Sequence, residues 1–514
     1  EAQIGAILST HLAILNDEQL TRQFIERIKD PRHASAEYAV FSVLRLVVKE
    51  FQSISDEYLA QRVTDIYDIE KRLLRILLED KRQDLRHLTD EVVVVSRDLT
   101  PSQTASLDTT KVKGFATDAG GRTSHTAIVA RALGIPAVVG LESVTADVAG
   151  GDTVIIDGNQ GLVIISPDDA TLRIYTQKEK ETLATEVRTR QEFKDMPAVT
   201  KDGVEVKIMA NIDFPEEVGQ CLALGAVGIG LYRTEFLFLG ARSAPTEREH
   251  FDSYLRAVQE LGNRHIIIRT LDLGADKAVV GDGDVREFNP FLGCRSIRFC
   301  FRHLDVFKTQ LRAILRVSAF GRVRIMFPLI SCLDELRRAK AFVHEVMDDL
   351  EREDIPFRKD IKIGIMIEVP SAAVTADILA KEADFFSIGT NDLVQYTLAV
   401  DRDNESVADL YRPADPSILR LIRNTVAAAE AAGIPVGMCG EMAGDAIYTM
   451  LLLGLGVKEF SVSPPSIIPE LKKIIRSLTC SAARAVAEKA LTLTDPEETA
   501  QFLRAKIKEI VPEM

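Results

Sequence analysis

The sequence predicts a multidomain α and α/β protein, with a helical front, a small α/β domain and a C-terminal (β/α)8 TIM barrel. Three observations predict it. A chain of 514 residues exceeds what one ordinary core organises. The hydrophobic period changes from helical to strand-like near Glu91. From about residue 198 onward, eight short apolar strand candidates alternate with helical stretches.

The elements follow in chain order. Residues 1–84 read as helical, because apolar residues recur at helical spacing in Ile4, Ile7, Leu8, Leu12 and Leu15 and again in Ile66, Ile69, Leu73, Ile76 and Leu77. Interspersed charges such as Asp65, Asp68, Glu70, Lys71 and Arg72 suit a solvated helical face or a docking surface. Residues 85–167 read as the small α/β domain, with strands at Val92–Val95, Gly114–Ala116, Ala137–Val139 and Thr153–Ile156 and a turn at Asp157-Gly158. Residues 168–197, rich in charge as in Gln177-Lys178-Glu179-Lys180-Glu181, read as a helical linker. Residues 198–514 carry the eight barrel strands, at 206–208, 228–231, 266–268, 323–325, 363–365, 385–387, 436–438 and 460–462. A doubly wound sheet is the competing arrangement, and even spacing favours the barrel.

Composition narrows the function. Hydrophobic residues make up 46% and charged residues 27%, as in globular proteins. A net charge of −14 argues against duplex nucleic acid as a partner and favours a basic protein. No apolar run approaches the roughly 20 residues of a membrane span, and no secretory signal is read. The six cysteines, 221, 294, 300, 332, 439 and 480, contain no CxxC pair, so reduced thiols and a cytoplasmic location are expected. The chain opens Glu1-Ala2-Gln3 without a methionine, so residues are expected ahead of it.

The most informative stretch is Gly120-Gly121-Arg122-Thr123-Ser124-His125-Thr126-Ala127-Ile128-Val129-Ala130-Arg131. Thr123 or Ser124 can cap a helix that Gly134 and Pro136 end, which sets His125 in its first turn. Free N–H groups and the positive helix end there favour a phosphoryl group. A neutral imidazole nitrogen is a nucleophile near pH 7, and Arg122 and Arg131 can hold phosphoryl oxygens. A lone histidine here would more readily be read as a satisfied helix-cap residue.

Chemically loaded residues follow most barrel strands: Asn211, Arg233, Arg269 with Asp272, Glu368, Asn391-Asp392, and Cys439 with Glu441. Barrel sites are built at those strand ends. Arg233, Arg269, Lys277 and Arg295 offer cations for an anionic substrate. Glu368 and Asp392, from neighbouring strands, suit Mg²⁺ when substrate oxygens and water complete the shell. Each has a plain alternative: a surface salt bridge for an arginine, a helix N-cap for Asp392, an ion-pair partner for Glu368. Cys439 reads as a small buried apolar residue or as a thiol able to deliver a proton. Asp282-Gly283-Asp284 reads as a flexible acidic turn.

The histidine string resembles the phosphohistidine signature of the phosphoenolpyruvate-utilising enzymes, and Asp384 to Tyr396 with Asp401-Arg402 resembles their second signature. The stretch His11 to Leu20 and Asp56-Glu57-Tyr58-Leu59-Ala60-Gln61-Arg62 resemble the helical domain of the Enzyme I family of the bacterial sugar phosphotransferase system. Pyruvate phosphate dikinase and phosphoenolpyruvate synthase share the first two strings but carry an ATP-binding domain, whose phosphate loops are not found in residues 1–119. The nitrogen-regulatory paralogue of Enzyme I is the closer alternative.

The resemblance implies a phosphotransferase that moves phosphoryl from phosphoenolpyruvate to His125 and then to the histidine of the phosphocarrier HPr. It implies an HPr-docking helical domain touched at Leu59 and Arg62, a swivelling phosphohistidine domain with Thr104 beside the imidazole, and a homodimer formed through the barrel. It assigns Glu368 and Asp392 to Mg²⁺. Arg233, Arg269, Lys277, Arg295, Asn391 and Arg402 go to phosphoenolpyruvate, and Cys439 to enolate protonation. Two departures stand out. The chain starts inside the helical domain, and Cys294 stands where the family commonly has Trp.

Overall fold

The computed structural model describes residues 18–29, 36–52, 69, 73, 77, 90–99, 111–120, 130, 134–158, 160–238, 243–274, 289–402, 404 and 406–512. His125, Thr104, Leu59, Arg62 and Lys277, and the 282–284 turn, lie outside the described residues.

Two compact units divide the chain: residues 1–91 with 106–111, and residues 92–105 with 112–514. In the first, helices Glu18–Ile28 and Ala36–Gln52 pack together, as their amphipathic patterns require. Leu20, Val40, Val43 and Leu44 from these helices form a buried cluster with Ile69, and Phe24, Val47 and Leu73 pack against it.

The second unit opens with a parallel three-stranded sheet, β1 (Val92–Ser96), β2 (Val112–Thr117) and β3 (Ala137–Val138), in that order. An antiparallel hairpin follows, β4 (Val154–Asp157) and β5 (Leu162–Ile165). The strand β5 is not among those read from the sequence. Gly161, at φ +65°, closes the turn before it, a conformation that suits a residue without a side chain. Helix Asp169–Phe193 then runs through the charged stretch, started by Asp168, whose carboxylate accepts from the Thr171 N–H at 2.7 Å. Such a cap contributes about 1 kcal/mol. Its far end is moored: Lys472 Nζ donates to the Lys194 carbonyl at 2.6 Å and Arg476 to the Pro197 carbonyl at 2.9 Å.

Eight parallel strands close a barrel: β6 (Lys207–Ile212), β7 (Ile229–Tyr232), β8 (His265–Arg269), β9 (Arg322–Phe327), β10 (Lys362–Ile367), β11 (Phe386–Ile388), β12 (Val436–Met438) and β13 (Glu459–Val462). All eight fall where the apolar runs predict them. The last pairs with the first, Phe460 beside Ile208 and Ser461 beside Met209. Alternation along each strand makes two cores. The outward residues and the helices around them bury Ile208, Ile268, Ile325, Phe327, Ile365 and Phe460 with Leu311, Leu336 and Leu471. The inward residues form a separate cluster of Leu231, Ile267, Met326, Met366, Phe385 and Cys439. Interior space is tight: a Cβ on Gly364 would lie 2.5 Å from the Phe385 ring, so a large ring is accommodated by a missing side chain on the neighbouring strand.

Two histidines are locked into this domain. His250 is fully buried, its Nδ1 paired with the Tyr254 hydroxyl at 2.9 Å, and His265 sits at the start of β8. Burial pushes both imidazoles down to about 4 from an ordinary 6.5. The unfolded chain therefore takes up these protons near 6.5, while the folded chain refuses them until about 4. The stability they contribute is complete above pH 6.5 and is lost as pH falls toward 4, at about 1.4 kcal/mol per pH unit for each proton. Urea unfolding of wild type and His250→Gln across pH 7 to 4 checks this. The variant should show the shallower pH dependence, and equal slopes would discount His250 as a source.

Candidate functional site at the C-terminal end of the barrel

The chemically loaded residues do sit at strand ends. Arg233 follows β7, Arg269 ends β8, Glu368 follows β10 and Cys439 follows β12. Arg295 is the N-cap residue of helix Ser296–Arg302, and Asn391 and Asp392 lie in the first turn of helix Thr390–Leu398. Parallel strands in a closed barrel point all these ends to one face.

A continuous ionic chain runs through the centre of this face. Arg269 meets Glu235 at 3.1 Å and Asp272 at 2.9 Å. Asp272 in turn holds Arg295 at 3.1 Å, and Arg295 reaches Asp392 at 3.6 Å. The side chains of Arg269, Asp272, Arg295 and Asp392 are each about nine-tenths covered, so these charges stand in a low-dielectric setting. Burial works against the charged form of Asp272, yet Arg269 and Arg295 outweigh it and hold its carboxyl well below the usual range. Burial likewise disfavours both guanidinium charges, and the carboxylates around them keep both arginines protonated. Nε of Arg269 and Nε of Arg295 are buried without a hydrogen-bond partner among the described residues. Such donors suit an incoming anion.

Local structure fixes this chain. The backbone around Asp272 is tied to the Arg295 segment by a bridge between Gly274 and Arg295, by the Ser296 N–H to the Leu273 carbonyl at 3.0 Å, and by the Ser296 hydroxyl to Asp272. Tyr396 donates to the Phe291 carbonyl at 2.7 Å and accepts from Arg295 at 3.3 Å. Glu235 also accepts from the Asp272 N–H at 2.9 Å.

Glu368 is almost wholly buried and accepts from the Leu329 N–H at 2.6 Å. Burial, then the neighbouring Asp272 and Asp392 carboxylates, raise its carboxyl well above the usual range. The group is short of positive charge, and its hard oxygen donors fit a divalent cation such as Mg²⁺. Among the described residues no three acidic, histidine or cysteine side chains are grouped to hold a metal ion. Gly389 makes room: a Cβ there would lie 2.9 Å from Glu368 Oε2 and from Met366 Sδ.

Cys439 is buried, its Sγ 3.8 Å from the Ile388 carbonyl, and burial pushes the thiol up to about 11. It is protonated at neutral pH. Asn211 donates to the Cys439 carbonyl at 3.1 Å and accepts from Ser461 at 2.6 Å, which sets the turn carrying the thiol. Gly440 abuts Thr390 so closely that any side chain would strike it.

Of the remaining expected substrate residues, Arg233, Asn391 and Arg402 are among the described residues. Arg233 pairs with Asp213 at 3.4 Å. Asn391 exchanges two hydrogen bonds with Glu441, to its carboxylate at 3.1 Å and from its N–H at 2.8 Å. Among the described residues neither Arg233 nor Asn391 bonds to the chain of Arg269, Asp272 and Arg295. The Arg402 N–H donates to Gln395 at 3.2 Å. Cys294 is half-buried against the barrel–helix core.

Known proteins resemble this chain over most of its length. The family model described as "PEP-utilising enzyme, PEP-binding domain" matches residues 187–480, the mobile-domain model residues 88–161, and the N-terminal model residues 1–62. The phosphoenolpyruvate-protein phosphotransferase of Geobacillus stearothermophilus is 47% identical over 97% of this chain and 86% of its own length. That of Bacillus subtilis is 44% identical over 98% of this chain and 88% of its own. The Staphylococcus carnosus protein is 43% identical over 99% and 89%. The chain belongs to the phosphoenolpyruvate-protein phosphotransferase family. Within that family assignment, the barrel is the domain that the phosphoenolpyruvate-binding model covers, and the ionic chain lies at its C-terminal face. No helix among the described residues is long and apolar enough to cross a membrane.

Three site residues escape the sequence reading. Asp272 is noted there as a partner of Arg269 but given no role. Glu235 lies two residues after Arg233 and is passed over, and Tyr396 is quoted in a string without a function. Acidic residues within reach of strand-end arginines are the signal that would find the first two.

Asp272 is the common counter-ion of two buried arginines. Asp272→Ala should destabilise the barrel by about 3 kcal/mol, because both guanidinium groups lose the carboxylate they share. Asp272→Asn, which keeps a hydrogen-bond acceptor, should cost less. Chemical unfolding of the two variants checks the order, and a loss under about 1 kcal/mol for the alanine variant would mean that the arginines find other partners.

Proposed function

We propose that this chain accepts the phosphoryl group of phosphoenolpyruvate on His125 and passes it to the histidine of HPr, the first step of phosphotransferase sugar uptake. The observation that carries the reading is the convergence of Arg269 and Arg295 with Asp272, Glu368 and Asp392 at one barrel face. Phosphoenolpyruvate bears a carboxylate and a phosphate, and planar guanidinium forks suit both. Arg233, Lys277, Asn391 and Arg402 complete the substrate-holding set. Glu368 and Asp392 would hold Mg²⁺, which supplies charge neutralisation at the phosphoryl oxygens when bound.

In the reaction an imidazole nitrogen of His125 attacks phosphorus in line, the bond to the enol oxygen breaks, and an enolate is left. The carbon of that enolate needs a proton to become pyruvate. Cys439 Sγ is the group we assign to deliver it, because its thiol is protonated and lies at the strand end beside Arg269. Thr104 orients the imidazole, and Leu59 and Arg62 touch HPr. The working units are residues 1–84, 85–167, 168–197 and 198–514. Since His125 must meet the barrel site and HPr in turn, the phosphohistidine domain swings about the linker. The protein acts in the cytoplasm as a homodimer formed through the barrel.

Incubation with phosphoenolpyruvate and Mg²⁺ should add one acid-labile phosphoryl group at His125, read by intact mass and by peptide mapping at neutral pH. Labelling that persists in His125→Ala would sink the assignment.

The acidic pair is tested separately. Glu368→Gln and Asp392→Asn should each abolish Mg²⁺-dependent pyruvate release while the circular dichroism of the barrel is retained. Gly389→Ala, which crowds Glu368, should raise the Mg²⁺ concentration needed for half-maximal rate. Unchanged metal dependence in all three variants would remove Glu368 and Asp392 as ligands.

A further inference from the structure

Helix Leu304–Ser318 covers the outside of the barrel, and its buried face is apolar except at Gln310 and at Ser318, its last residue. Val306, Phe307, Leu311, Ile314 and Leu315 are all excluded from water, and so is Gln310, which is 1% exposed. A carboxamide in such a layer costs several kcal/mol unless its polar atoms are satisfied. Gln310 satisfies its own on the loop that carries Arg269 and Asp272. Its Oε1 accepts from the Leu271 N–H at 2.9 Å. Its Nε2 donates to the Thr234 hydroxyl at 2.9 Å and lies 3.3 Å from the Tyr254 hydroxyl. The Thr234 hydroxyl, which has no exposure, passes its own proton to the Arg269 carbonyl at 3.1 Å.

The carbonyl of Arg269 and the N–H of Leu271 are therefore both fixed from outside the barrel, one on each side of Thr270. These two backbone groups bracket the point where the chain leaves β8. Beyond it stand Asp272 and the ionic chain to Arg295 and Asp392. Glu235, next to Thr234, holds the Asp272 N–H and the Arg269 guanidinium, and the amide–hydroxyl relay holds the backbone between them, so together they set the height and direction at which the Arg269 guanidinium and the Asp272 carboxylate emerge.

We infer that Gln310, acting through Thr234, is a positioning residue for the phosphoenolpyruvate step, although it lies in the helical layer outside the barrel and touches no substrate. The inference rests on the assignment of Arg269 to phosphoenolpyruvate. A displaced loop would carry Arg269 and Asp272 together out of register with Arg295. Small misplacements of groups that hold a reacting substrate are costly in rate.

The test measures autophosphorylation and pyruvate release by the full chain against phosphoenolpyruvate concentration, at a temperature well below each variant's unfolding midpoint. Gln310→Met keeps the volume and removes all three hydrogen bonds. It should raise the half-saturating phosphoenolpyruvate concentration about tenfold, the size expected for lost buried hydrogen bonds. Thr234→Val, which removes both the donor to the Arg269 carbonyl and the acceptor for Gln310 Nε2, should move in the same direction. Thr234→Ser, which restores the hydroxyl, should return to within about twofold of wild type, an outcome that a purely packing role for Thr234 does not give. A folded Gln310→Met and a folded Thr234→Val that both saturate as wild type does would overturn the inference, as would a Thr234→Ser as impaired as the valine variant. If Gln310→Met does not fold, the Thr234 pair decides. Arg269→Ala separates the two levels. If it too leaves saturation unchanged, the assignment of Arg269 fails. If it is severely impaired while the Gln310 and Thr234 variants are normal, only the positioning role fails.

Discussion

Two arginines and one aspartate, buried together, set the terms for everything at the barrel's working face. Arg269 and Arg295 share Asp272, the carboxylate that offsets the cost of burying both guanidinium groups side by side. The sharing also makes the arrangement incomplete. Glu235 and Asp392 take up further N–H donors, yet Nε of each arginine stays unpaired among the described residues, and Glu368 stays burdened by its acidic neighbours. The face thus offers donors for an anion and oxygens for a cation within one desolvated space. A substrate that brings phosphate and carboxylate groups along with a divalent metal relieves both deficits at once.

The rest of the barrel keeps that chain in place with neutral bonds. Backbone bridges tie the Asp272 loop to the Arg295 segment, Tyr396 tethers Arg295 to the Phe291 carbonyl, and Gln310 and Thr234 hold the exit of β8. The charges need this support, because ionic attraction is not directional, whereas amide and hydroxyl bonds are. Missing side chains contribute as much as present ones: Gly389 leaves room for Glu368, and Gly440 lets the Cys439 turn lie against Thr390.

Much of this was legible in the sequence, for identifiable reasons. Eight apolar runs of strand length, evenly spaced, leave few architectures but a barrel, and a barrel gathers its strand ends, so Arg269, Arg295, Glu368, Asp392 and Cys439 could be grouped before any coordinates. The strand β5 was not read: Leu162–Ile165 is a short apolar run after the Asp157-Gly158 turn, and its antiparallel pairing with β4 is what makes it a strand. Gln310 was invisible for a deeper reason. It sits among leucines and isoleucines at helical spacing, where a polar residue reads as an exposed position, and only the packing of that helix against β8 turns it inward. Tyr396 fell within a quoted string, but its bond to the Phe291 carbonyl crosses 105 residues and no local pattern foretells it.

The seam at which the barrel closes has a temporal consequence. The strand β6 pairs with β13, and the Lys207–Glu459 ion pair across that seam joins residues 252 apart in the chain. On the ribosome the first strand of the barrel must wait, one edge bare, until its last partner has been made. The hydrogen bonds that set the Cys439 turn cross the same seam, from Asn211 on β6 to Cys439 and from Ser461 on β13 back to Asn211. The nascent chain can therefore acquire the thiol's final placement only after β13 docks. The setting of that turn is a late event in the life of each molecule, gated by the same pairing that covers the bare edge of β6.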